Sequence, residues 1–301
     1  MTSNPAQPLI DHKASKEFFI GVDSDGCAFD TMEIKHKECF IPNIINHFGL
    51  QAVSKFAREA AEFVNLYSKW RGINRFPAVE MTLDLLDKRR EIRERRFAVP
   101  RMQAMRDWIA HEKSPSNPSL EAAIKTAPNA AAADELRRVL DWSNAVNAAI
   151  EDMVHGVPPF PFVRESLQAA VEKADIIVVS ATPGEALERE WAEHDIAQYA
   201  CVIAGQEMGK KAEHIKLAAG GKYPTEKILM VGDAPGDMQA ARANNALFYP
   251  INPGHEDQSW ERFYHEAMAR FFAGQYKGAY EDALVKEFLD MLPSTPPWEK
   301  R

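Results

Sequence analysis

The sequence predicts an α/β fold in which a Rossmann-like parallel sheet core carries an inserted all-helical domain. Short apolar runs typical of buried parallel strands occur near the start of the chain and again after residue 158, where helical segments separate them. Between these parts, residues 34–158 carry apolar side chains at helical spacing and contain no β-rich run. Polar residues directly follow the apolar runs, as they do at the ligand-binding ends of parallel strands.

The first predicted strand is the apolar run of residues 18–22, which leads directly into Asp23 and, two residues later, Asp25. Gly26 predicts a turn at this point, so both carboxylates are expected at the carboxyl end of the strand. Two carboxylates placed there repel each other unless a cation or a shared proton compensates their charge. Residues 1–16, which precede this strand, are expected to form a loose arm.

The middle of the chain predicts a helical domain of residues 34–158. Its apolar spacing indicates helices near 34–48, 51–68, 101–112, 119–126 and 130–154, and one more that begins after Pro77. The loop of residues 69–75 lies between two of these helices and contains Arg71 and Arg75. These two arginines are candidates for binding an anionic part of a substrate, and an ordinary solvated loop is the alternative interpretation.

After residue 158, predicted helices alternate with predicted strands at 175–180, 200–204, 227–231 and 246–249. The helices, at 163–173, 185–193, 210–219 and 235–243, have the length of crossover connections between parallel strands. Residues 1–33 and 159–255 are therefore predicted to form the Rossmann-like core. Residues 256–301 follow as an amphipathic helical extension, for which packing on the core is favoured over a partner surface.

The second strand ends in residues that predict an anion site. The hydroxyl of Ser180 and the free backbone N–H groups near Ala181 could bind a phosphate at the start of the next helix. Thr182, followed by Pro183, is expected to be the N-cap of that helix.

The fourth strand ends in Asp233, and Asp237 follows four residues later. Asp237 also has a purely structural interpretation, because an acid at a helix N-terminus is often only a cap. Together with Asp23, however, these acids come from two strand ends and predict a hard-oxygen site suited to Mg²⁺.

At these positions the chain resembles the haloacid dehalogenase superfamily of phosphotransferases, whose four motifs occur here in order. Residues 23–26 look like the first motif, Ser180 the second, Lys210 the third and residues 232–237 the fourth. The resemblance covers roughly residues 17–33 and 160–252, and residues 23–31 are similar to the phosphoglycolate phosphatase and β-phosphoglucomutase branch. The helical insertion corresponds to the family's cap, although it is longer than this branch usually carries. Where the third motif usually reads Lys-Pro, this chain has Lys210 and Lys211, and an ungapped match of the following helix favours Lys210 as the lysine in the site.

The resemblance implies covalent phosphoryl transfer. Asp23 is then the nucleophile that attacks phosphorus and forms an aspartyl-phosphate. Asp25 is the general acid that protonates the leaving oxygen and the base that later activates water. Ser180, Ala181 and Lys210 are implied to bind the phosphoryl group and to stabilise its developing charge.

The resemblance also implies a Mg²⁺ cofactor and a small phosphorylated metabolite as substrate. The metal ligands would be Asp23, Asp233 and the backbone carbonyl of Asp25, with Asp237 orienting the set. The chain is therefore expected to be a phosphatase acting on a small soluble phosphomonoester.

Composition favours a reduced cytoplasmic enzyme. The chain of 301 residues has a formal net charge of -8, which disfavours non-specific binding to nucleic acid or to an anionic membrane surface. No apolar stretch approaches the length of a membrane span, and residues 1–16 lack the apolar core of a signal peptide. The three cysteines, Cys27, Cys39 and Cys201, are too widely spaced to indicate a disulfide framework or a metal cluster.

Three other functions are alternatives to a phosphatase. A phosphomutase of the same superfamily uses the same motif residues and differs mainly in how the cap excludes water. A non-catalytic binding protein that kept the fold is a second alternative, although the presence of every motif residue argues against it. A phosphorylated receiver domain shares an acid, a hydroxyl and a lysine, but it explains neither the helical insertion nor Asp233. Asp25 disfavours the dehalogenase and phosphonate-cleaving branches, which lack an acid at this position.

Overall fold

The structure, a computed structural model, describes residues 4–300, and these form two compact units. The sheet unit comprises residues 4–32 and 156–293, and the helical unit comprises residues 33–155 and 294–300. The predicted C-terminal extension is thus divided between the units: its helices belong to the sheet unit, and its last residues belong to the helical unit.

The sheet unit is built on five strands, β1 (Phe18–Val22), β2 (Ala174–Val179), β3 (Val202–Ala204), β4 (Ile228–Gly232) and β5 (Leu247–Pro250). Their order is β3-β2-β1-β4-β5, and every neighbouring pair is parallel. This arrangement confirms the predicted α/β fold. The strand order reverses at β1, which pairs with β2 on one side and β4 on the other. Ligands of open α/β sheets bind outside the carboxyl ends of strands at such a switch point.

Successive side chains of β1 point to opposite faces of the sheet, so the strand contributes apolar residues to both faces. Helices cover each of these faces. Ile20 and Val22 join one apolar core, and Phe19 joins the other. The chain contains sixteen α-helices within the described residues, which we number α1 to α16. Eight of them lie wholly in the sheet unit: α1 (Gln7–Asp11), α10 (Val163–Ala170), α11 (Gly184–Glu193), α12 (Lys211–Ala219), α13 (Pro235–Ala243), α14 (Glu256–Arg262), α15 (Met268–Phe272) and α16 (Ala279–Met291).

Residues 4–16 of the N-terminal arm are held by the sheet unit, contrary to the expectation of a loose arm; residues 1–3 of that prediction lie outside the described residues. Leu9 of α1 is fully buried in the core that contains Phe19. Asp175, at the start of β2, accepts hydrogen bonds from the backbone N–H groups of Ser15 and Lys16 at 2.8 and 2.9 Å. A carboxylate and a buried leucine therefore fix this segment, and neither contact is visible in the local sequence pattern.

The C-terminal helices close the exposed edge of the sheet at β5. The Phe248 N–H donates to Glu281 Oε1 at 2.9 Å, and the Phe248 carbonyl accepts from the Tyr276 hydroxyl at 2.7 Å. Glu281 is buried, and Arg242 Nη1 lies 2.8 Å from its carboxylate. Side chains thus satisfy backbone groups that an edge strand would otherwise leave open to pairing with another chain.

The helical unit packs around its own apolar core. Phe48, Phe76 and Trp142 are among its fully buried aromatic side chains. A π-helical segment, Lys35–Phe40, connects the helix Thr31–Ile34 to the helix Ile41–His47. Seven helices lie wholly in this unit and one more, α2, spans its boundary: α2 (Thr31–Ile34), α3 (Ile41–His47), α4 (Ser54–Asn65), α5 (Arg75–Lys88), α6 (Arg90–Glu94), α7 (Gln103–His111), α8 (Asn117–Lys125) and α9 (Ala130–Met153).

Between residues 4 and 300, no helix combines the length and the apolar character needed to cross a membrane.

Candidate active site

A tight turn follows β1 and places its first acid at the end of the central strand. The Asp23 N–H still pairs with the Val231 carbonyl of β4 at 3.0 Å. The Ser24 carbonyl then accepts the N–H groups of Ala28 and Phe29 at 2.9 and 3.1 Å. Gly26 has a φ of 75°, a left-handed conformation that glycine adopts without strain. The turn predicted at Gly26 is therefore present.

Three carboxylates converge at the switch point of the sheet. Oxygens of Asp23, Asp233 and Asp237 lie within 4.8 Å of one another. The three residues are 4%, 1% and 0% exposed. Gly232 permits this approach, because a Cβ at that position would lie 2.4 Å from Asp237 Cβ. The sequence predicted these acids at the carboxyl ends of two strands, and in the structure their oxygens lie close together there.

Lys211 joins the carboxylates, and this corrects the expectation for Lys210. The Lys211 ammonium lies 2.7 Å from Asp23 Oδ2 and 2.7 Å from Asp237 Oδ1. Lys210 is exposed, has extended backbone before α12, and donates its N–H to Glu213 Oε2 at 2.7 Å. Because the helix begins between the two lysines, their side chains leave the backbone in different directions.

The electrostatics of this group fit a divalent cation. Burial raises the pKa of Asp23 well above its ordinary value; the Lys211 ammonium opposes this rise, and the charges of Asp237 and Asp233 add to it. Burial lowers the pKa of Lys211, but Asp23 and Asp237 outweigh that effect and raise it overall, so this lysine stays charged. With all three carboxylates ionised, the group and its ammonium carry a formal charge of two negative units, which one divalent cation would neutralise.

Asp25 lies outside the group of three carboxylates, and two hydroxyls hold its side chain. Its Oδ1 accepts from Thr31 Oγ1 at 2.5 Å, and its Oδ2 accepts from Thr182 Oγ1 at 2.7 Å. The carboxyl group is half-buried. Two fixed hydroxyls orient a carboxyl group in a manner suited to proton transfer.

Thr182 is not the N-cap of the following helix, although its sequence position predicts that role. Helix α11 begins at Gly184, with Pro183 in the N-cap position, so the N-cap residue offers no side-chain acceptor. The Gly184 N–H donates to Glu207 Oε2 at 3.0 Å. The Thr182 hydroxyl donates to Asp25 instead. Sequence reasoning missed this contact because it joins residues that are 157 positions apart.

Ser180 follows the carboxyl end of β2, the strand beside β1. Its N–H donates to the Ala204 carbonyl at 3.0 Å, and its Oγ accepts the Thr182 N–H at 3.2 Å. Ser180 is buried, whereas Ala181 is exposed. Val178 pairs with Val22, so Ser180 and Asp23 leave neighbouring strands at the same edge of the sheet.

The predicted substrate arginines make contacts within the helical unit. Arg71 is 3% exposed and donates from Nη1 to the Leu66 carbonyl at 3.0 Å, so its side chain is buried within the helical unit. Arg75 Nη1 donates to Ser143 Oγ at 3.0 Å and to Asn147 Oδ1 at 2.7 Å, which joins α5 to α9. Among the described residues no carboxylate forms an ion pair with Arg75, and burial lowers its pKa to about 10.

No protein-family model and no curated protein sequence matches the chain. Solved structures do match it. One is a candidate phosphoglycolate phosphatase from Lactobacillus delbrueckii subsp. bulgaricus, at 17% identity and a TM-score of 0.48, covering 83% of this chain and 92% of that one. Another is a haloacid dehalogenase-like family hydrolase from Xanthomonas campestris, at 11% identity and a TM-score of 0.45, covering 89% and 98%.

A third similar structure is CbbY from Rhodobacter sphaeroides, described as a complex with phosphate. It is 16% identical, has a TM-score of 0.39, and the match covers 78% of this chain and 86% of that one.

Proposed function

We propose that the protein is a Mg²⁺-dependent phosphatase of the haloacid dehalogenase superfamily that hydrolyses a small phosphomonoester. The observation that carries this proposal is the contact of Asp23 with Lys211 beside two further buried carboxylates, at the switch point of a parallel sheet. One carboxylate here can serve as a nucleophile, and the neighbouring carboxylates can hold a cation. That cation and the lysine would stabilise the negative charge of a phosphoryl group.

Asp23 is the proposed nucleophile. It stands at the end of the central strand, and its carboxylate is fixed by the Ser24 N–H on Oδ1 at 2.8 Å and by Lys211 on Oδ2. Attack by a carboxylate oxygen on phosphorus forms an aspartyl-phosphate and expels the alcohol oxygen of the substrate. Water then attacks that intermediate, releases inorganic phosphate and restores the carboxylate.

Asp25 is the proposed proton donor and acceptor. In the first step it gives a proton to the leaving alcohol, and in the second it takes one from the attacking water. The hydroxyls of Thr31 and Thr182 hold its two oxygens and so limit the directions in which the carboxyl group can point. Ser180 and the backbone near Ala181 are proposed to bind the phosphoryl oxygens together with Lys211.

Asp23, Asp233 and the backbone carbonyl of Asp25 are the proposed Mg²⁺ ligands. When bound, the ion would neutralise the approach of an anionic nucleophile to an anionic phosphate. Both oxygens of Asp237 already accept hydrogen bonds, from Lys211 Nζ at 2.7 Å and from the Ala234 N–H at 3.0 Å. Asp237 is therefore proposed to hold the lysine in place beside the metal ligands.

The proposed substrate is a small phosphorylated metabolite in the cytoplasm, and nucleic acids and membranes are not proposed as partners. The net charge of -8 disfavours large anionic surfaces, so recognition of phosphate requires a local cation such as Lys211. Arg75 is the proposed contact for a further anionic group of the substrate, since its partners Ser143 and Asn147 are neutral and no carboxylate of the described residues pairs with it.

Purified protein assayed with p-nitrophenyl phosphate and a panel of phosphorylated metabolites tests this proposal. We expect turnover with Mg²⁺, none after EDTA treatment, and recovery when Mg²⁺ is restored. Asp23→Asn should abolish turnover, because it keeps the volume of the side chain and removes its charge. Asp175→Asn, at the opposite end of the sheet, is the matched control and should retain activity. Turnover unaffected by EDTA, or by Asp23→Asn, would contradict the proposal.

Product analysis distinguishes a phosphatase from a phosphomutase, which would use the same site residues. Release of inorganic phosphate indicates a phosphatase, whereas conversion of one sugar phosphate into its isomer indicates a phosphomutase. Absence of both activities across the panel would favour a binding protein.

A further inference from the structure

Two buried tryptophans hydrogen-bond to the turn that carries Asp23, and the mechanism above uses neither of them. Trp191 Nε1 donates to Ser24 Oγ at 2.9 Å, and Trp260 Nε1 donates to the Cys27 carbonyl at 2.7 Å. Both indoles are 0% exposed. An indole has one N–H donor, so each of these bonds occupies the whole hydrogen-bonding capacity of its side chain.

The two tryptophans reach the turn from separate elements. Trp191 lies in α11, and its ring centroid is 5.9 Å from that of Phe29, at the far end of the turn. Trp260 lies in α14, and its ring centroid is 5.5 Å from that of Phe263. A large, rigid and fully packed ring cannot move without disturbing its neighbours, so each N–H stays at a defined position.

Ser24 transmits this positioning to the nucleophile. Its hydroxyl accepts from Trp191 and donates to Glu190 Oε2 at 2.9 Å, which fixes the hydroxyl from two sides. Its backbone N–H donates to Asp23 Oδ1 at 2.8 Å. A shift of Ser24 would therefore move a hydrogen bond that orients the Asp23 carboxylate.

We propose that Trp191 and Trp260 are positioning residues for Asp23, and that helix α14, through Trp260, supports the turn that carries this nucleophile. This inference rests on the proposed role of Asp23 as nucleophile. Reaction rates depend steeply on the geometry of attack, and a misplacement of about 1 Å can reduce the rate roughly a hundredfold. Loss of either indole N–H should therefore reduce the rate of the chemical step more than it weakens substrate binding.

The variants Trp191→Phe and Trp260→Phe test the proposal, because they keep an aromatic ring and remove the N–H. We expect kcat to fall about 10- to 100-fold, with KM nearly unchanged. Trp142→Phe is the matched control: Trp142 is fully buried in the helical unit, and its indole N–H has no hydrogen-bond partner. It should lose packing but keep kcat. Equal effects of all three substitutions on kcat would overturn the proposal.

A double-mutant cycle identifies the bond itself. Ser24→Ala removes the acceptor of Trp191 and should lower kcat by a similar factor, and the double variant should lose little more than either single variant. Independent, multiplicative losses would contradict the proposed coupling. This pair also carries the test if Trp260→Phe fails to fold.

Hydrogen exchange gives a result that does not depend on phosphatase activity. The N–H groups of Ala28 and Phe29 should exchange faster in Trp260→Phe than in wild-type protein, and Trp142→Phe should not change them. If the wild-type protein turns over no phosphomonoester but the exchange changes as expected, the proposed function fails while the bracing of the turn stands. Unchanged exchange together with unchanged kcat would overturn the inference.

Discussion

Two adjacent lysines at the start of α12 have different environments, because the backbone changes from extended to helical between them. Lys210 has extended backbone with ψ of 156°, and Lys211 is the first residue of the helix. Only Lys211 reaches Asp23 and Asp237. A motif pattern identifies the lysine position to within one residue, but the start of the helix decides which ammonium enters the site.

The pair Lys211→Ala and Lys210→Ala tests this assignment. Removal of the Lys211 ammonium should lower kcat by about 10²- to 10³-fold, as does loss of a preorganised group that stabilises transition-state charge. Lys210→Ala should leave kcat nearly unchanged, since its side chain is exposed. Steady-state kinetics on the best substrate of the panel measure both. A larger loss in Lys210→Ala than in Lys211→Ala would reverse the assignment.

At the scale of elements, Asp175 links the N-terminal arm to β2. Besides two backbone N–H groups, its carboxylate accepts the hydroxyls of Ser15 at 2.5 Å and Tyr223 at 2.6 Å. Burial opposes ionisation, but the hydrogen bonds outweigh it, led by that of Ser15, and the pKa of Asp175 lies below its ordinary value. The ionised carboxylate thus stabilises the folded arm.

Stability should therefore depend on pH through Asp175. A carboxyl group whose pKa is lower in the folded state contributes stability above its unfolded pKa of about 3.9, and this contribution is lost as pH falls through the folded value. Asp175→Asn should be less stable than wild-type protein at pH 7, and the difference should shrink below about pH 4. Denaturant unfolding at several pH values measures it. A difference that stays constant with pH would contradict the role of the charge.

The edge strand β5 offers a second test at this scale. Glu281→Ala would leave the buried N–H of Phe248 without its acceptor, and Arg242 without its counter-charge. The free energy of unfolding should fall by about 1–3 kcal/mol, the usual cost of an unsatisfied buried polar group. Glu281→Gln keeps an acceptor oxygen and should lose less. Equal losses in the two variants would indicate that packing, rather than the hydrogen bond to β5, sets the effect.

At the scale of the whole molecule, residues 294–300 belong to the helical unit, although the helices before them belong to the sheet unit. The ring of Trp298 lies 5.7 Å from that of Phe63 and 4.4 Å from the guanidinium of Arg89. Arg89 is itself buried and bonds Glu59 Oε2 at 2.6 Å. The chain therefore passes between the two units three times, at residues 32–33, 155–156 and 293–294.

Trp298→Ala should destabilise the helical unit. The lost aromatic and cation–π contacts amount to about 1–2 kcal/mol in the free energy of unfolding. Glu299→Ala, on the neighbouring exposed side chain, is the control and should have little effect. Calorimetry of both variants distinguishes them. An unchanged transition in Trp298→Ala would show that the terminal residues do not stabilise this unit.

The sequence alone determined the α/β class, the helical character of the insertion and the ends of the strands that carry Asp23, Ser180 and Asp233. These features depend on local patterns: apolar runs specify buried strands, helical spacing specifies helices, and an acid directly after a strand lies at its carboxyl end.

Only the tertiary structure decided which side chains meet. It brought Lys211 rather than Lys210 to Asp23, and it bound Thr182 to Asp25. It also buried Arg71 beside the Leu66 carbonyl, bonded Ser15 to Asp175 and placed Trp260 against the turn of Asp23. Each of these depends on the exact start of a helix or on contacts between residues distant in sequence. Local periodicity specifies the elements and the face that each one buries, but the positions of individual atoms across elements follow from the packing of the complete core.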